Sequence, residues 1–266
     1  MGLLKRTERA VISAMPDGAF NLFANARNRL TGKRHRIARR EDGLYDVTDG
    51  AERLVLSQRH RHRRSKRGVV EGATDLARVY FLERAEIAGP GLLIDCGANI
   101  GELGIWARAK GLDYLAFEPE EREARCADLN AYDGAARTRR QALWHENGTL
   151  TFYRKAGNAD SSLIAIAAPD ETVEVDAVRL DSILDPAALK GCVILKVEAE
   201  GAEPEVLEGA SGLLERIDWI TVDCGYERGE EQRHTFCETN RFLTANGFEV
   251  VEADLKKRRT FLYRRV

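Results

Sequence analysis

No stretch of this chain approaches the roughly 18 consecutive apolar residues that a membrane span needs, which argues against a transmembrane helix. Met1 to Leu30 also lacks the apolar centre and small-residue cleavage site of a secretory leader, so a cytoplasmic location is expected. Cysteine is sparse. Cys96, Cys126, Cys192, Cys224 and Cys237 are scattered with no CxxC spacing, which argues against structural zinc and against a disulfide framework. Three of them sit in or beside expected strands, where a thiol packs as a small hydrophobe. No convergent set of ligands compels a metal site, and none is expected.

What is present describes a globular α/β protein. The 266 residues are 44% hydrophobic and 32% charged, enough for one α/β domain with an N-terminal extension. The net charge of -2 conceals an asymmetry. Residues 1 to 90 hold 19 Lys or Arg against 11 Asp or Glu, while residues 91 to 266 hold 22 against 32. We therefore divide the chain into a basic extension, 1–67, and a main domain, 68–266. In the extension, Met1 to Leu30 reads as two short helices broken at Pro16-Asp17-Gly18. Lys5, Arg6 and Arg9 beside apolar residues leave peripheral membrane contact open. Gly43 to Ser57 reads as a hairpin turning at Asp49-Gly50. The basic runs KRHRIARR, Lys33 to Arg40, and RHRHRRSKR, Arg59 to Arg67, suit an acidic or phosphate-bearing partner. Nucleic acid fits that charge as well, but no aromatics are interleaved to stack on bases, so a solvated face beside the main domain is the alternative.

The main domain is organised around LLIDCGANIG, Leu92 to Gly101. A short apolar run opening into glycines predicts a buried parallel strand, a tight turn and a helix. Asp95 stands at the strand's carboxyl edge, and Gly97 and Gly101 are expected where backbone turns close to a ligand. Asn99 lies between them. The next apolar strand, YLAFEPE, stops at Glu118, a carboxylate placed to accept the two ribose hydroxyls of an adenosine. An anionic Asp95 facing the turn would repel a pyrophosphate but suits the ammonium of an amino-acid moiety. The pattern therefore favours S-adenosylmethionine over NAD. Residues 137 to 143 read as the third strand, with Gln141 and Ala142 flanking the adenine.

Further strands are expected at 193–197, 219–224, 248–253 and 260–264, the last two forming an antiparallel pair. The sum is a Rossmann-like α/β fold, with a mostly parallel seven-stranded sheet and an antiparallel C-terminal strand. An insertion at 145–191, with a hairpin and a polar loop Gly157 to Ser162, is placed to act as a lid or an acceptor wall. Glu198 and Glu200 end the strand VILKVEAEG, where ligands of such sheets bind. Lys196 is expected to pair with Asp95 or with one of these glutamates.

Four segments in this order, IDCGANIGELG, AFEPE, VRLDSI and LKVEAEGAEPEVLEGA, resemble the FkbM-type methyltransferases. These are Rossmann-like S-adenosylmethionine-dependent enzymes that methylate hydroxyls, typically of sugars or secondary metabolites. The resemblance spans residues 68 to 252. It implies that Asp95, Gly97, Asn99 and Gly101 belong to the cofactor turn, Glu118 to the ribose, and Glu198, Glu200 and Gly201 to the acceptor side. The family often carries Asp where this chain has Glu198. The expected activity is O-methylation of a sugar, glycan or secondary-metabolite hydroxyl. A cofactor-fold protein without chemistry and an RNA-associated methyltransferase are the alternatives. A hydroxyl acceptor needs a base within hydrogen-bond reach. Glu200 is the first candidate, Glu198 the second and His145 the third, while Asp223, at the end of the fifth strand, His234 and the Ser161-Ser162 loop are weaker acceptor-side candidates.

Overall fold

The computed structural model describes residues 14–155, 161–256 and 258–266. The chain forms two compact units, Met1–Ala73 and Thr74–Val266. The expected helix before Pro16 and the Gly157–Asp160 part of the polar loop lie outside the described residues.

In the N-terminal unit the helix α1, Asp17–Leu30, buries Phe20, Ala24 and Asn28, a one-sided stripe at spacings of four. It lies on a three-stranded antiparallel sheet of β1, Arg36–Arg39, β2, Tyr45–Asp49, and β3, Glu52–Leu56. The Asn25 amide joins helix to sheet by bonding both backbone groups of Ile37, each at 2.8 Å. The expected hairpin forms, with Gly50-Ala51 as its two-residue turn between the paired Asp49 and Glu52, one position on from the expected Asp49-Gly50. The basic runs are more structured than a solvated face would be. Ile37, 1% exposed, draws Arg36–Arg39 into the sheet, and Arg59–Ser65 winds into a 3-10 helix that buries Arg61 and His62.

Helix α2, Val69–Val79, leads into the C-terminal unit. There a six-stranded sheet has the order β11, β12, β10, β9, β4, β5. β4, Gly91–Cys96, β5, Asp113–Phe117, β9, Cys192–Val197, and β10, Trp219–Asp223, are parallel. β12, Thr260–Arg265, runs antiparallel to β10, and β11, Phe248–Ala253, antiparallel to β12. The apolar run in each parallel strand is buried because both faces of the sheet are covered. Helix α3, Glu102–Ala109, packs against α4, Glu121–Ala131. Ile94, Leu195, Val197 and Val222 belong to the main core.

The expected seventh strand does not join this sheet. Residues 137–143 touch it through one parallel bridge, Arg139 to Phe117. β6, Ala142–Leu143, pairs instead with β8, Glu171–Val178, which pairs with β7, Gly148–Arg154, in a second sheet. The cause is burial on two sides. Leu143 enters the main core, whereas Ala142 packs with Phe152 and Val175 in a satellite cluster that only the second sheet provides. Among the described residues, no helix is long and apolar enough to cross a membrane.

Candidate active site

The turn after β4 is held from beneath. The amides of Gly97 and Ala98 donate to the Phe117 carbonyl at 3.1 and 3.0 Å. Gly97, Asn99 and Gly101 all have left-handed backbone, with φ of 73°, 50° and 74°. What forbids side chains at the two glycines is the protein itself. A Cβ on Gly97 would lie 2.1 Å from the Glu198 carbonyl oxygen, and one on Gly101 would lie 2.8 Å from Cα of Ala127 on α4. Glu118, at the end of β5, closes the same turn. Its Oε2 accepts the Asn99 amide at 2.8 Å and its Oε1 the Glu120 amide at 3.0 Å. Burial raises its pKa to about 8, although the two backbone donors favour the ionised form. Each oxygen accepts one of these bonds and keeps a further lone pair.

Asp95 corrects the expectation that its carboxylate faces the turn. It is 1% exposed and lies on the sheet, opposite Lys196 in register. The Tyr114 hydroxyl donates to Oδ2 at 2.6 Å, and the Lys196 ammonium stands 3.0 Å from Oδ1. Lys196, expected to pair with Asp95 or with one of the strand-end glutamates, pairs with both Asp95 and Glu198, the latter at 3.5 Å. It also donates to the carbonyls of Cys96 and Gly97 at 2.9 and 2.8 Å. Burial works against its charge, but the Asp95 and Glu198 carboxylates outweigh that and hold it protonated. One ammonium thus fastens the glycine turn to two strands.

Beyond it lies a cluster that sequence reasoning only partly found. β9 ends at Val197, and Glu198 accepts hydrogen bonds from the Tyr80 hydroxyl and the Arg258 guanidinium. Burial alone would push Glu198 up, yet the Lys196 and Arg258 charges bring its pKa below the ordinary value. Arg258 also reaches Asp223 at the end of β10, its Nε 2.7 Å from Oδ2. The other Asp223 oxygen, Oδ1, is buried with no hydrogen-bond partner among the described residues. Burial raises Asp223 to about 6 even beside Arg258, and it raises the nearby Glu227 to about 7. Asp223 was a minor candidate, and Tyr80, Arg258 and Glu227 were missed. The signal for Arg258 was available: an antiparallel last strand beside β10 brings the 254–259 turn to Asp223, because Thr260 pairs with Asp223.

The other expected site residues scatter. Glu200 sits in a turn with φ of 49°, half-buried, and its carbonyl accepts the Ser162 hydroxyl at 2.7 Å. The strand alternation that would put Glu198 and Glu200 on one face stops before either of them. Glu203, at the start of α5, Glu203–Glu208, fixes this turn by accepting the amides of Ala199 and Gly201 and the Thr235 hydroxyl. His145 lies beside Glu208, 3.9 Å away, at the opposite end of α5 from Glu203. The structure therefore does not bring it to the carboxylate cluster. Ala142 is in the satellite core, so its side chain packs on protein, while Gln141 before it is half-buried. Ser161 and Ser162 spend their hydroxyls on backbone, and His234 packs edge-on against Tyr226. Among the described residues, no group of three His, Cys, Asp or Glu could hold a metal ion.

A mixed six-stranded sheet in which β4 opens into a glycine turn and a carboxylate ends the neighbouring parallel strand β5 is a Rossmann-like α/β arrangement. The chain belongs to the FkbM methyltransferase domain family, whose model matches residues 95–250. Among solved structures it is similar to the FkbM methyltransferase of Methylobacillus flagellatus KT, at 18% identity and a TM-score of 0.46 over 73% of this chain. It spans 50% of that protein's length. It is also similar to the magnesium protoporphyrin IX methyltransferase of Synechocystis PCC 6803 with bound S-adenosylmethionine, at 13% identity and a TM-score of 0.40, covering 79% of this chain and 85% of that one. No curated protein matches its sequence.

Proposed function

We propose that this enzyme transfers a methyl group to a hydroxyl of a sugar, glycan or secondary metabolite, with Asp223 as the proton acceptor. The observation that carries this reading is the buried, unpartnered Oδ1 of Asp223 at the carboxyl end of β10. Ligands of open α/β sheets bind at that edge. A carboxylate whose pKa is about 6 is mostly ionised at neutral pH yet still basic enough to receive a proton as attack develops. Glu198 does not suit that task, because Lys196, Arg258 and Tyr80 hold it ionised. Its work is to position Arg258, which in turn holds the other Asp223 oxygen. Glu200 is the second reading. Its carbonyl is tied to the insertion by the Ser162 hydroxyl, which supports the insertion as an acceptor wall.

The residues of the glycine turn fit the cofactor in part. Glu118 has acceptor capacity left for a ribose diol, and the left-handed turn from Gly97 to Gly101 passes beside it. Asp95 does not fit as a direct partner of the ammonium, since its carboxylate is turned to Lys196 and Tyr114. In this reading Glu118 orients the nucleoside, and Asp95 acts through Lys196 to hold the turn. Bound S-adenosylmethionine supplies the electrophilic methyl group and a neutral thioether leaving group. The protein's part is alignment and proton removal.

The test uses radiolabelled cofactor against glycan, lipid and metabolite fractions to find an acceptor, followed by Asp223→Asn kinetics on it. We expect kcat to fall about 10- to 1000-fold with affinity for S-adenosylhomocysteine kept, and the acid limb of the rate profile near pH 6 to vanish. Wild-type turnover in Asp223→Asn, with a large loss in Glu200→Gln, would move the base to Glu200.

A further inference from the structure

The N-terminal unit lies before the family match and contains a cavity of its own, about 230 Å³ in volume. Its cations differ from the others of the unit. Arg39, Arg40, Arg53 and Arg59 are neutralised by Asp17, Asp42 and Asp46 at 2.8 to 3.3 Å. Lys33, Arg63 and Lys66 line the cavity and pair with no carboxylate among the described residues. Two histidines line it as well. His35 and His62 are 2% and 6% exposed, and Nδ1 of each is buried without a hydrogen-bond partner. Phe20 meets His62 edge-on at 5.6 Å, and Phe23, 40% exposed, adds an apolar wall.

Three uncompensated cations around a concavity focus a positive potential there. Two buried ring nitrogens left unpaired are costly unless something else satisfies them. Burial lowers both histidines, His62 to about 4, so both rings are neutral at neutral pH. A neutral imidazole can still turn an Nδ1–H toward an anionic oxygen by choice of tautomer. Asp49 acts on His35 from outside the cavity lining. The volume falls below the roughly 300–1,000 Å³ of pockets that take drug-sized ligands, which leaves room for one small group and its charge.

We propose that this cavity binds a phosphomonoester of about hexose-phosphate size. The phosphate faces Lys33, Arg63 and Lys66, and the carbon skeleton lies against Phe20 and Phe23. The inference does not rest on the proposed reaction.

Calorimetric titration of the full chain with glucose 6-phosphate, inorganic phosphate and glucose tests it. Glucose 6-phosphate should bind, inorganic phosphate should bind more weakly, and glucose should not bind. Arg63→Gln with Lys66→Gln should weaken glucose 6-phosphate by about ten-fold or more, the loss of two charge-assisted contacts. A control, Arg29→Gln with Arg36→Gln, removes the same charge outside the cavity and should change affinity less than about two-fold. Affinity for S-adenosylhomocysteine, measured on every preparation, should be unchanged, which separates a lost site from a lost fold. Failure of glucose 6-phosphate to bind, or binding no tighter than inorganic phosphate, overturns the proposal. So does an equal loss in the control, which would make the effect a diffuse surface field.

Discussion

Replacing Lys196 by Met removes the ammonium that joins the glycine turn to two strands, and the structure ranks the outcomes. The side chain is 3% exposed, and four oxygens surround it: the carbonyls of Cys96 and Gly97 and the carboxylates of Asp95 and Glu198. Methionine fills the volume but leaves Asp95, 1% exposed, with only the Tyr114 hydroxyl. Removing one partner of a buried ion pair typically costs about 3–5 kcal/mol, because the other charge stays buried and uncompensated. That loss should lower the urea midpoint by roughly 1–2 M. Trp106, Trp144 and Trp219 all belong to the C-terminal unit, so tryptophan fluorescence reads that unit alone. Asp95→Asn should cost less, because Lys196 keeps Glu198 and both carbonyls. Lys196→Met with Asp95→Asn should be more stable than Lys196→Met alone, with a coupling of about 2 kcal/mol or more. If Lys196→Met unfolds within about 0.5 M urea of wild type, or the second substitution adds its full cost, the ion pair is not what holds the turn.

Glu118→Gln should weaken S-adenosylhomocysteine by about 1–3 kcal/mol, read by calorimetry, if the carboxylate accepts the ribose hydroxyls. Because burial raises Glu118 from 4.5 to about 8, its protonated form favours folding. Its contribution to stability is fully present below pH 4.5 and is lost as pH rises through about 8. Binding through the ionised carboxylate should instead strengthen over that rise, and Glu118→Gln should abolish both trends. Gly97→Ala places a Cβ 2.1 Å from the Glu198 carbonyl at a φ of 73°. We expect a loss of about 2 kcal/mol or more in thermal or urea unfolding, together with weaker S-adenosylhomocysteine binding; unchanged values would mean that the turn is not packed as described.

Local patterns were legible where one rule acted on neighbouring residues. The apolar runs at Leu92 to Ile94 and Val193 to Val197 gave buried parallel strands, and Asp49-Gly50 gave its hairpin to within one position of the turn. The strand expected over 137–143 failed because one run of residues had two cores to choose from, and alternation cannot say which neighbour will supply the burial. The site divides in the same way. Glu118 was found because a carboxylate ending a strand has a fixed place, whereas Arg258 came to Asp223 through the pairing of β12 with β10, across 35 residues.

By itself the sequence determined the order of elements, the glycine turn, the strand-end carboxylates and the concentration of positive charge before residue 90, because periodicity, backbone freedom and charge are properties of adjacent residues. The tertiary structure alone decided that Asp95 faces Lys196 rather than the turn, that Glu198 is held ionised while Asp223 is raised, and that some cations of the basic runs are neutralised while Lys33, Arg63 and Lys66 line a cavity. Burial and the nearest opposite charge set each of these, and both come from residues far apart along the chain.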